Sequence, residues 1–299
     1  MGDAPLLEVM LPFWGDPQLL YDAVESVRSQ EDARWRLTIV DDCYPDESVA
    51  AHFAAETDPR IRYVRHEVNL GITANYEACR DLAQLPLMMF LGCDDLMLPG
   101  FVSRVLALHA RHPDAGIIQP GVRVIDEHGD PAEPLGDKVK RALRPHADAP
   151  LVLRGERLAT SLLHGNWLYW PSLVFRTEVI RRYPFRDGLP IIQDMALVVD
   201  MAVGGESLVL DSEVVFAYRR HTESASSASL LTGRRLPDER TYYAQAVDQM
   251  AARGWPKARR AARLRWTSRL HGLTLVPAAL KSRDPQALRA VVRHAATLL

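Results

Sequence analysis

Two short apolar runs in the first hundred residues of this chain each lead into a pair of aspartates. The run Leu-Thr-Ile-Val precedes Asp41 and Asp42, and the run Leu-Met-Met-Phe-Leu comes shortly before Asp94 and Asp95. Runs of this length and composition are typical of buried strands. Adjacent carboxylates at a strand end repel each other and lose solvation, so they reduce stability unless a cationic group binds there. The pattern therefore indicates strand ends that hold a ligand.

Strand-like and helix-like segments alternate through the same region. Strands are predicted at residues 7–12, 36–40, 61–65 and 86–91, and helices at residues 16–30, 45–57 and 72–83. This alternation predicts an α/β fold with a mainly parallel sheet flanked by helices. In open sheets of this kind ligands bind in the crevice beyond the carboxyl ends of the strands, which is where both aspartate pairs are expected.

The pattern changes after Asp95. The remaining elements are predicted as helices at residues 97–112, 154–164, 193–203, 238–253, 256–272 and 285–298, and as strand-like segments at 116–126, 167–176 and 208–219. Residues 130–149 are rich in proline and charge and are expected to form a loop. Residues 223–233 are rich in serine and alanine, and we expect them to be a mobile lid.

The composition is that of an ordinary globular protein. The 299 residues are 47% hydrophobic and 25% charged, which suits one large domain with or without an appendage. No apolar run reaches the roughly 18 residues of a membrane span, and no secretory signal pattern is visible. The three cysteines are odd in number and lack zinc-like spacing, so a reducing cytoplasm is the expected location.

Charge is distributed unevenly along the chain. Residues 251–299 contain 11 Lys or Arg and a single acid, a net charge of +10, which leaves −12 for the rest of the chain. Trp255, Ala262, Trp266, Leu270 and Leu273 recur at helical spacing between the arginines, as in a helix that lies on an anionic membrane. Packing on the acidic body and a homodimer contact are the alternatives. Nucleic acid is not expected as a partner, because no binding module is present.

Each candidate residue has a structural interpretation beside the functional one. Asp41 and Asp42 could cap a turn or bind a base or ribose. Asp94 and Asp95 could cap a turn or bind a hard cation with phosphate oxygens. Asp194 could be an acid favoured by the start of a helix or a general base.

The basic cluster at residues 219–221 also has a structural and a functional interpretation. Arg219, Arg220 and His221 follow the last strand-like segment. They could be a solvated surface cluster, or His221 could complete a metal shell while an arginine holds phosphate.

Seven segments taken together resemble the inverting glycosyltransferases of family 2, which have the GT-A fold. The resemblance covers about residues 5–222, and its motifs come in the family's order: residues 8–13, 23–30, 38–42, 69–76, 90–99, 193–197 and 218–221. Two positions depart from the family pattern. Gly92 stands where many members have the first Asp of the metal motif, and Gln193 stands where many have Glu beside the base.

The resemblance implies roles for individual residues. Asp194 would be the general base, and Asp94 and Asp95, with His221 as an additional ligand, would hold Mn²⁺ or Mg²⁺. The nucleotide sugar would contact Pro12, Phe13, Asp41, Asp42, Asn75 and Asp94.

The resemblance also implies a domain plan and partners. Residues 1–225 would be the GT-A domain, with a nucleotide-binding half at about 5–100 and an acceptor half at about 101–225, followed by a linker and basic helical extension at 226–299. The donor would be a UDP- or dTDP-sugar, and the acceptor a glycan, a lipid-linked glycan or a small molecule. A nucleotidyltransferase and a non-catalytic nucleotide-sugar-binding protein are the alternatives.

Overall fold

The computed structural model describes residues 4–186, 188–189, 191–220, 235–281 and 285–298. The strands described there form one sheet of nine: β1 (Leu7–Phe13), β2 (Trp35–Asp41), β3 (Ile61–Arg65), β4 (Leu87–Phe90), β5 (Leu96–Met97), β6 (Ile117–Ile125), β7 (Leu151–Arg154), β8 (Val174–Arg176) and β9 (Ser207–Arg219).

Helices cover both faces of this sheet and continue into a C-terminal helical region. They are α1 (Pro17–Arg28), α2 (Ser48–Ala54), α3 (Ile72–Leu82), α4 (Phe101–Arg111), α5 (Leu135–Leu143), α6 (Gly155–His164), α7 (Thr177–Ile180), α8 (Gln193–Val203), α9 (Arg235–Ala252), α10 (Pro256–Leu264), α11 (Trp266–Thr274), α12 (Val276–Lys281) and α13 (Pro285–Ala296).

The first half of the sheet is parallel, as the alternation of strands and helices predicts. Strands β3, β2, β1 and β4 are neighbours in that order and all run in one direction. Successive residues of β1 point to opposite faces, so Val9 and Leu11 pack with α1, α2 and α4, whereas Met10 packs with α3, α6 and α8. The predicted fold class is confirmed. The carboxyl ends of β2 and β4 lie at the same end of the sheet.

The second half of the sheet is mixed. The order continues β8-β6-β9-β5, with β8 antiparallel to β4 and β6, β9 parallel to β6, and β7 antiparallel to β9. The long strand β9 therefore ends at Arg219 beside β5, which directly follows the Asp94-Asp95 turn. This pairing brings the end of β9 to the end of the sheet where β4 also terminates, which is the end expected to bind a ligand.

Three local predictions differ from the structure. Residues 130–149 are not simply a loop, because they contain α5, where the buried carboxylate of Asp137 is bonded to Arg220. Residues 167–176 are strand only at β8, since Trp170–Ser172 forms a 3₁₀ turn around a proline. The helix predicted at 256–272 is broken at Arg265, whose φ of 31° lies in the left-handed region.

The C-terminal helices pack on the body of the protein. Tyr242 and Met250 of α9 and Ala258 of α10 belong to the same core cluster as α6 and α8. The Oε1 atom of Glu156, at the start of α6, accepts hydrogen bonds from the backbone N–H of Lys257 at 2.6 Å and of Ala258 at 3.3 Å. None of the helices described here is both long enough and apolar enough to cross a bilayer.

This packing changes the face that the basic extension offers to a membrane. Ala262 is buried and Trp255 is half-buried against the core, whereas Trp266, Leu270 and Leu273 are exposed. The single amphipathic stripe predicted from the sequence is therefore divided, and only its C-terminal part faces solvent.

The close approach of β6 and β9 generates a prediction about Gly121. A Cβ atom there would lie 2.5 Å from the backbone oxygens of both Ser212 and Glu213. The β6–β9 register is irregular at this residue, so the strand must move to admit a methyl group. We expect Gly121→Ala to lower the free energy of unfolding by about 2–3 kcal/mol.

The matched control is Gly136→Ala, because a Cβ atom at Gly136 meets no other atom within 4 Å. Gly136 lies in α5, where alanine is favoured over glycine by up to about 1 kcal/mol, so this change should be neutral or stabilising. Urea denaturation followed by circular dichroism measures both variants. Equal stability of the two would contradict the close approach at Gly121.

Candidate active site

Asp41 is a buried brace at the end of β2. Its Oδ1 accepts the backbone N–H of Tyr44 at 2.7 Å, and its Oδ2 accepts the hydroxyl of Tyr63. The guanidinium of Arg65 lies 3.5 Å from the same oxygen. These contacts compensate the buried charge, so Asp41 holds the strand end together from three sides.

Asp42 organises the turn that starts α3. Its Oδ1 accepts the N–H of Leu70 at 2.7 Å and its Oδ2 accepts the N–H of Gly71 at 2.9 Å, while Asn69 donates to its backbone oxygen. Gly71 has a φ of 85°, a conformation that glycine adopts without strain. Each carboxylate oxygen has a second acceptor position, but Asp42 is buried, so its observed role is to shape this turn.

Asn75 is almost fully buried behind the same strand end. Its Nδ2 donates to the backbone oxygen of Val40 at 3.1 Å, and its Oδ1 lies 3.2 Å from Nε2 of His66. Asn75 therefore positions the loop that follows β3 against the end of β2.

Pro12 and Phe13 belong to β1 rather than to a turn after it, because the strand continues through Phe13. The Phe13 ring is buried, with its centroid 4.9 Å from that of Tyr44. Trp14 is 52% exposed and stands edge-on to the same tyrosine. An exposed indole at a ligand edge offers a flat apolar surface, which sequence reasoning did not single out.

The Asp94-Asp95 pair closes a tight turn after β4. Asp95 is buried, its Oδ1 accepts the N–H of Arg219 at 2.8 Å, and its Oδ2 has no hydrogen-bond partner among the described residues. Burial, and secondly the charge of Asp94, raises the pKa of Asp95 well above its usual range. A buried carboxylate oxygen in this state is an incomplete site that a cation would complete.

Gly92 provides the space for both carboxylates. A Cβ atom at Gly92 would collide with Oδ2 of Asp95 and would lie 3.0 Å from Oδ1 of Asp94. The glycine that departs from the family motif therefore leaves room for the two aspartates to converge above it. This arrangement fits a divalent cation held by Asp94 and Asp95.

Arg219 fixes the position of this turn. Besides its backbone contact with Asp95, its Nε donates to the backbone oxygen of Asp94 at 2.8 Å. Its Nη1 donates at 3.1 Å to the backbone oxygens of both Asp126 and Glu127. The side chain is nearly fully buried, so Arg219 has a structural role: it connects the Asp94-Asp95 turn with the turn after β6.

Arg220 is held in a different way. Its Nε and Nη2 each make a 2.9 Å hydrogen bond to the carboxylate of Asp137, whose Oδ1 also accepts the hydroxyl of Tyr169. This bidentate pair ties the end of β9 to α5. His221, the additional metal ligand inferred from the resemblance, and the lid predicted at 223–233 lie outside the described residues.

Asp194 lies in the first turn of α8 and is partly exposed. Its Oδ2 accepts Nδ2 of Asn166 at 3.0 Å, and its Oδ1 accepts the N–H of Met195 at 2.6 Å. Gln193, in the place of the family's Glu, accepts the Thr73 hydroxyl at 3.0 Å. Because Thr73 lies in α3 just beyond Gly71, a continuous set of contacts joins the Asp42 turn to Asp194.

These contacts place Asp42, Asn75 and the Asp94-Asp95 pair at the carboxyl ends of β2 and β4, and they connect the Asp42 turn with Asp194. The strands β2 and β4 flank β1, so their ends are about 10 Å apart, and α3 connects that edge with α8. Asn166, Thr73 and Arg219 complete the arrangement, but their contacts span long sequence separations that no local pattern reveals. Within the described residues no group of three His, Cys, Asp or Glu side chains forms a metal cluster.

A concavity among the described residues lies elsewhere. It has a volume of about 690 Å³ and is lined by α9, α10 and Leu298, with Arg259, Arg260 and Arg263 at its surface. None of the predicted site residues lines it, so it is a feature of the basic extension.

Comparisons with known proteins agree with this architecture. Residues 8–153, about half of the chain, match the model of glycosyl transferase family 2. A putative colanic acid biosynthesis glycosyl transferase, WcaA from Escherichia coli, is 33% identical over 108 residues, which are 36% of this chain and 39% of that relative. Two of the curated relatives, at 35% and 33% identity, are covered over only 14% and 39% of their lengths.

Two solved structures share the fold over nearly the whole chain. S. aureus TarS (1–349) in complex with UDP-GlcNAc has a TM-score of 0.68 at 13% identity, with 97% of this chain and 81% of that chain covered. The mannosyltransferase PcManGT from Pyrobaculum calidifontis, in complex with GDP-Man and Mn²⁺, has a TM-score of 0.60 at 14% identity, with 98% and 86% covered. The chain belongs to the family 2 glycosyltransferases and has their GT-A fold.

The hydrogen bonds of the Arg219 side chain generate a prediction about stability. In Arg219→Gln the shorter side chain cannot reach all three backbone oxygens, and buried acceptors then lose their partners. We expect the free energy of unfolding to fall by about 2–4 kcal/mol.

Arg123→Gln is the control, because Arg123 is an exposed arginine on the neighbouring strand β6. Its substitution should change stability by less than about 0.5 kcal/mol. Urea unfolding of both variants measures whether the buried Arg219 contributes more to the free energy of unfolding than the exposed Arg123 does. Arg219→Gln as stable as Arg123→Gln would show that the contacts of Arg219 contribute nothing.

Proposed function

We propose that this protein is an inverting glycosyltransferase that moves a sugar from a nucleotide-diphosphate donor to an acceptor hydroxyl. The observation that carries the proposal is the buried oxygen of Asp95, which lacks a partner among the described residues at the ligand edge of a family 2 fold. Such an oxygen reduces stability unless a cation binds there, and a metal-bound diphosphate supplies that cation.

Asp94 and Asp95 are the residues that would hold the divalent metal, Mn²⁺ or Mg²⁺, with His221 as the further candidate ligand. The Mn²⁺ named with PcManGT supports a divalent metal as a cofactor. When bound, the metal would neutralise the charge of the departing diphosphate. Arg219 keeps both aspartates in place from the protein side.

Asp194 is the proposed general base. Asn166 and the N–H of Met195 orient its carboxylate, and its partial exposure leaves it accessible to an acceptor. The acceptor oxygen forms a bond to the anomeric carbon while the bond from that carbon to the diphosphate oxygen breaks. The acceptor proton passes to Asp194, and a single displacement of this kind inverts the configuration of the sugar.

The donor would lie along the ends of β1 and β2. Asp42, the turn it organises, and Asn75 are the proposed contacts, with Pro12, Phe13 and Asp41 supporting that surface. UDP-GlcNAc and GDP-Man, named with the two solved structures, support a nucleotide sugar as donor. We favour a UDP- or dTDP-sugar.

The acceptor would be a glycan, a lipid-linked glycan or a small molecule. The name of the colanic acid relative supports a role in polysaccharide biosynthesis. Residues 1–225 would form the catalytic domain, and the basic extension would contact the membrane peripherally or a second copy of the chain. A cytoplasmic location remains a prediction, and the family match favours transfer of a sugar over transfer of a nucleotide.

The role of Asp194 generates the first kinetic prediction. Asp194→Asn keeps the size of the side chain but cannot accept a proton, so kcat should fall by about 10²–10⁴-fold with the donor KM nearly unchanged. Release of nucleoside diphosphate from candidate nucleotide sugars measures both quantities.

Asp81→Asn is the control, because the Asp81 side chain is 68% exposed on α3. It should keep wild-type kcat. Wild-type turnover in Asp194→Asn would remove Asp194 as the base, and absence of turnover in the wild-type protein with every donor would favour a non-catalytic binding protein.

The role of Asp95 generates a prediction about metal binding. Asp95→Asn removes a buried charge and keeps an oxygen for the N–H of Arg219, so the metal-free variant should unfold at a temperature no lower than the wild type. Mn²⁺ at about 100 times its Kd should stabilise the wild type by about 2.7 kcal/mol. This stabilisation should be absent in Asp95→Asn.

Thermal unfolding with and without Mn²⁺ and UDP measures these effects, with Asp81→Asn as the control that keeps the wild-type response. Equal stabilisation of Asp95→Asn and the wild type would exclude Asp95 as a metal ligand.

A further inference from the structure

Helix α11 carries an exposed apolar ridge. Trp266, Leu270 and Leu273 are 40%, 52% and 54% exposed, and their spacing of four and three residues places them on one face of the helix. Large apolar side chains in a contiguous row on a surface mark an interaction site more often than isolated ones do.

The ridge is attached to the turn that positions the proposed general base. The indole N–H of Trp266 donates to Nδ1 of His164 at 3.2 Å, and the hydroxyl of Thr267 donates to the backbone oxygen of His164 at 2.6 Å. Two residues further along the chain, Asn166 holds Asp194. Two residues span at most about 7 Å, so the turn that holds the start of the ridge is also the turn that holds Asp194.

Helix α5 meets α11 at the same turn. A Cβ atom at Gly165 would lie 2.5 Å from Cδ1 of Leu143 and 3.1 Å from the hydroxyl oxygen of Thr267, so side chains of both helices lie close to this glycine. Leu135 and Val139 of α5 are 72% and 43% exposed. They add apolar surface to the same region of the protein.

The two C-terminal segments that the structure describes around the ridge are basic, although Glu239 of α9 accepts a hydrogen bond from Ser268 of α11. Residues 266–281 and 285–298 contain no Asp or Glu but four cations, Arg269, Lys281, Arg289 and Arg293, of which the last three are exposed. Each lysine or arginine near an anionic leaflet contributes about 1 kcal/mol to attraction. An indole and leucines among cations form a surface that fits the interface of an anionic bilayer.

We propose that the α11 ridge, defined by Trp266, Leu270 and Leu273, docks the protein on an anionic lipid bilayer and turns the Asp194 side of the catalytic domain towards it. Trp266 lies at the level of the headgroups, and the two leucines enter the acyl boundary. The docking surface is independent of the proposed function. Only the significance of turning Asp194 towards the bilayer rests on the proposed function.

Co-sedimentation of the full chain with vesicles tests the proposal. The wild type should bind vesicles of phosphatidylglycerol and phosphatidylcholine, bind pure phosphatidylcholine weakly, and lose affinity as salt is raised. Leu270→Gln/Leu273→Gln should lower the partition coefficient about tenfold or more, because two leucines leave the acyl boundary. Val152→Gln/Val214→Gln, on exposed valines of the body, should bind as the wild type does.

Three outcomes overturn the proposal. They are undiminished binding by the leucine variant, equal loss in the valine variant, and wild-type binding that does not depend on anionic lipid. A wild-type dimer in light scattering that becomes a monomer in the leucine variant, without vesicle binding, would assign the ridge to a second copy of the chain. Thermal unfolding with UDP and Mn²⁺ in the same preparations reports separately on the proposed function and on folding of the variants.

Discussion

The arrangement of the candidate site depends on the contacts that Arg219 makes at the end of β9. Two adjacent carboxylates after a buried strand are unstable as a local structure, because their charges repel and one of them is out of water. Arg219 counters this with its own N–H on Asp95 and with its side chain on the backbone of Asp94. It also reaches the turn after β6, so the Asp94-Asp95 turn and the second half of the sheet share one positive group.

A second set of contacts connects the Asp42 turn with the start of α8. Asp42 shapes the turn at Gly71, α3 begins there, and Thr73 in its first turn is bonded to Gln193 next to Asp194. The glutamine that replaces the family's Glu therefore has a structural partner. A neutral residue at this position avoids a second charge beside Asp194 and still connects α3 to α8.

Periodicity and strand-end aspartates predicted the parallel half of the sheet because those strands are buried and their helices are amphipathic. Helix α5 could not be found in this way, since its segment is rich in proline and charge and its buried residue is Asp137. The burial of that carboxylate is compensated by Arg220, which is distant in sequence. The break at Arg265 was also hidden, because its guanidinium is held by backbone oxygens of His294 and Thr297.

The sequence by itself determined the fold class, the motifs of the family and the identity of the aspartates at the strand ends, because these depend on local periodicity and on residue type. Only the tertiary structure decided which polar atoms have hydrogen-bond partners and which apolar side chains are buried. It showed that Asp41 is braced, that one oxygen of Asp95 lacks a partner within the described residues, and that Trp255 faces the core whereas Trp266 faces solvent. These properties follow from contacts between distant segments, and a linear pattern carries no information about which distant group fills a given hydrogen bond or covers a given face.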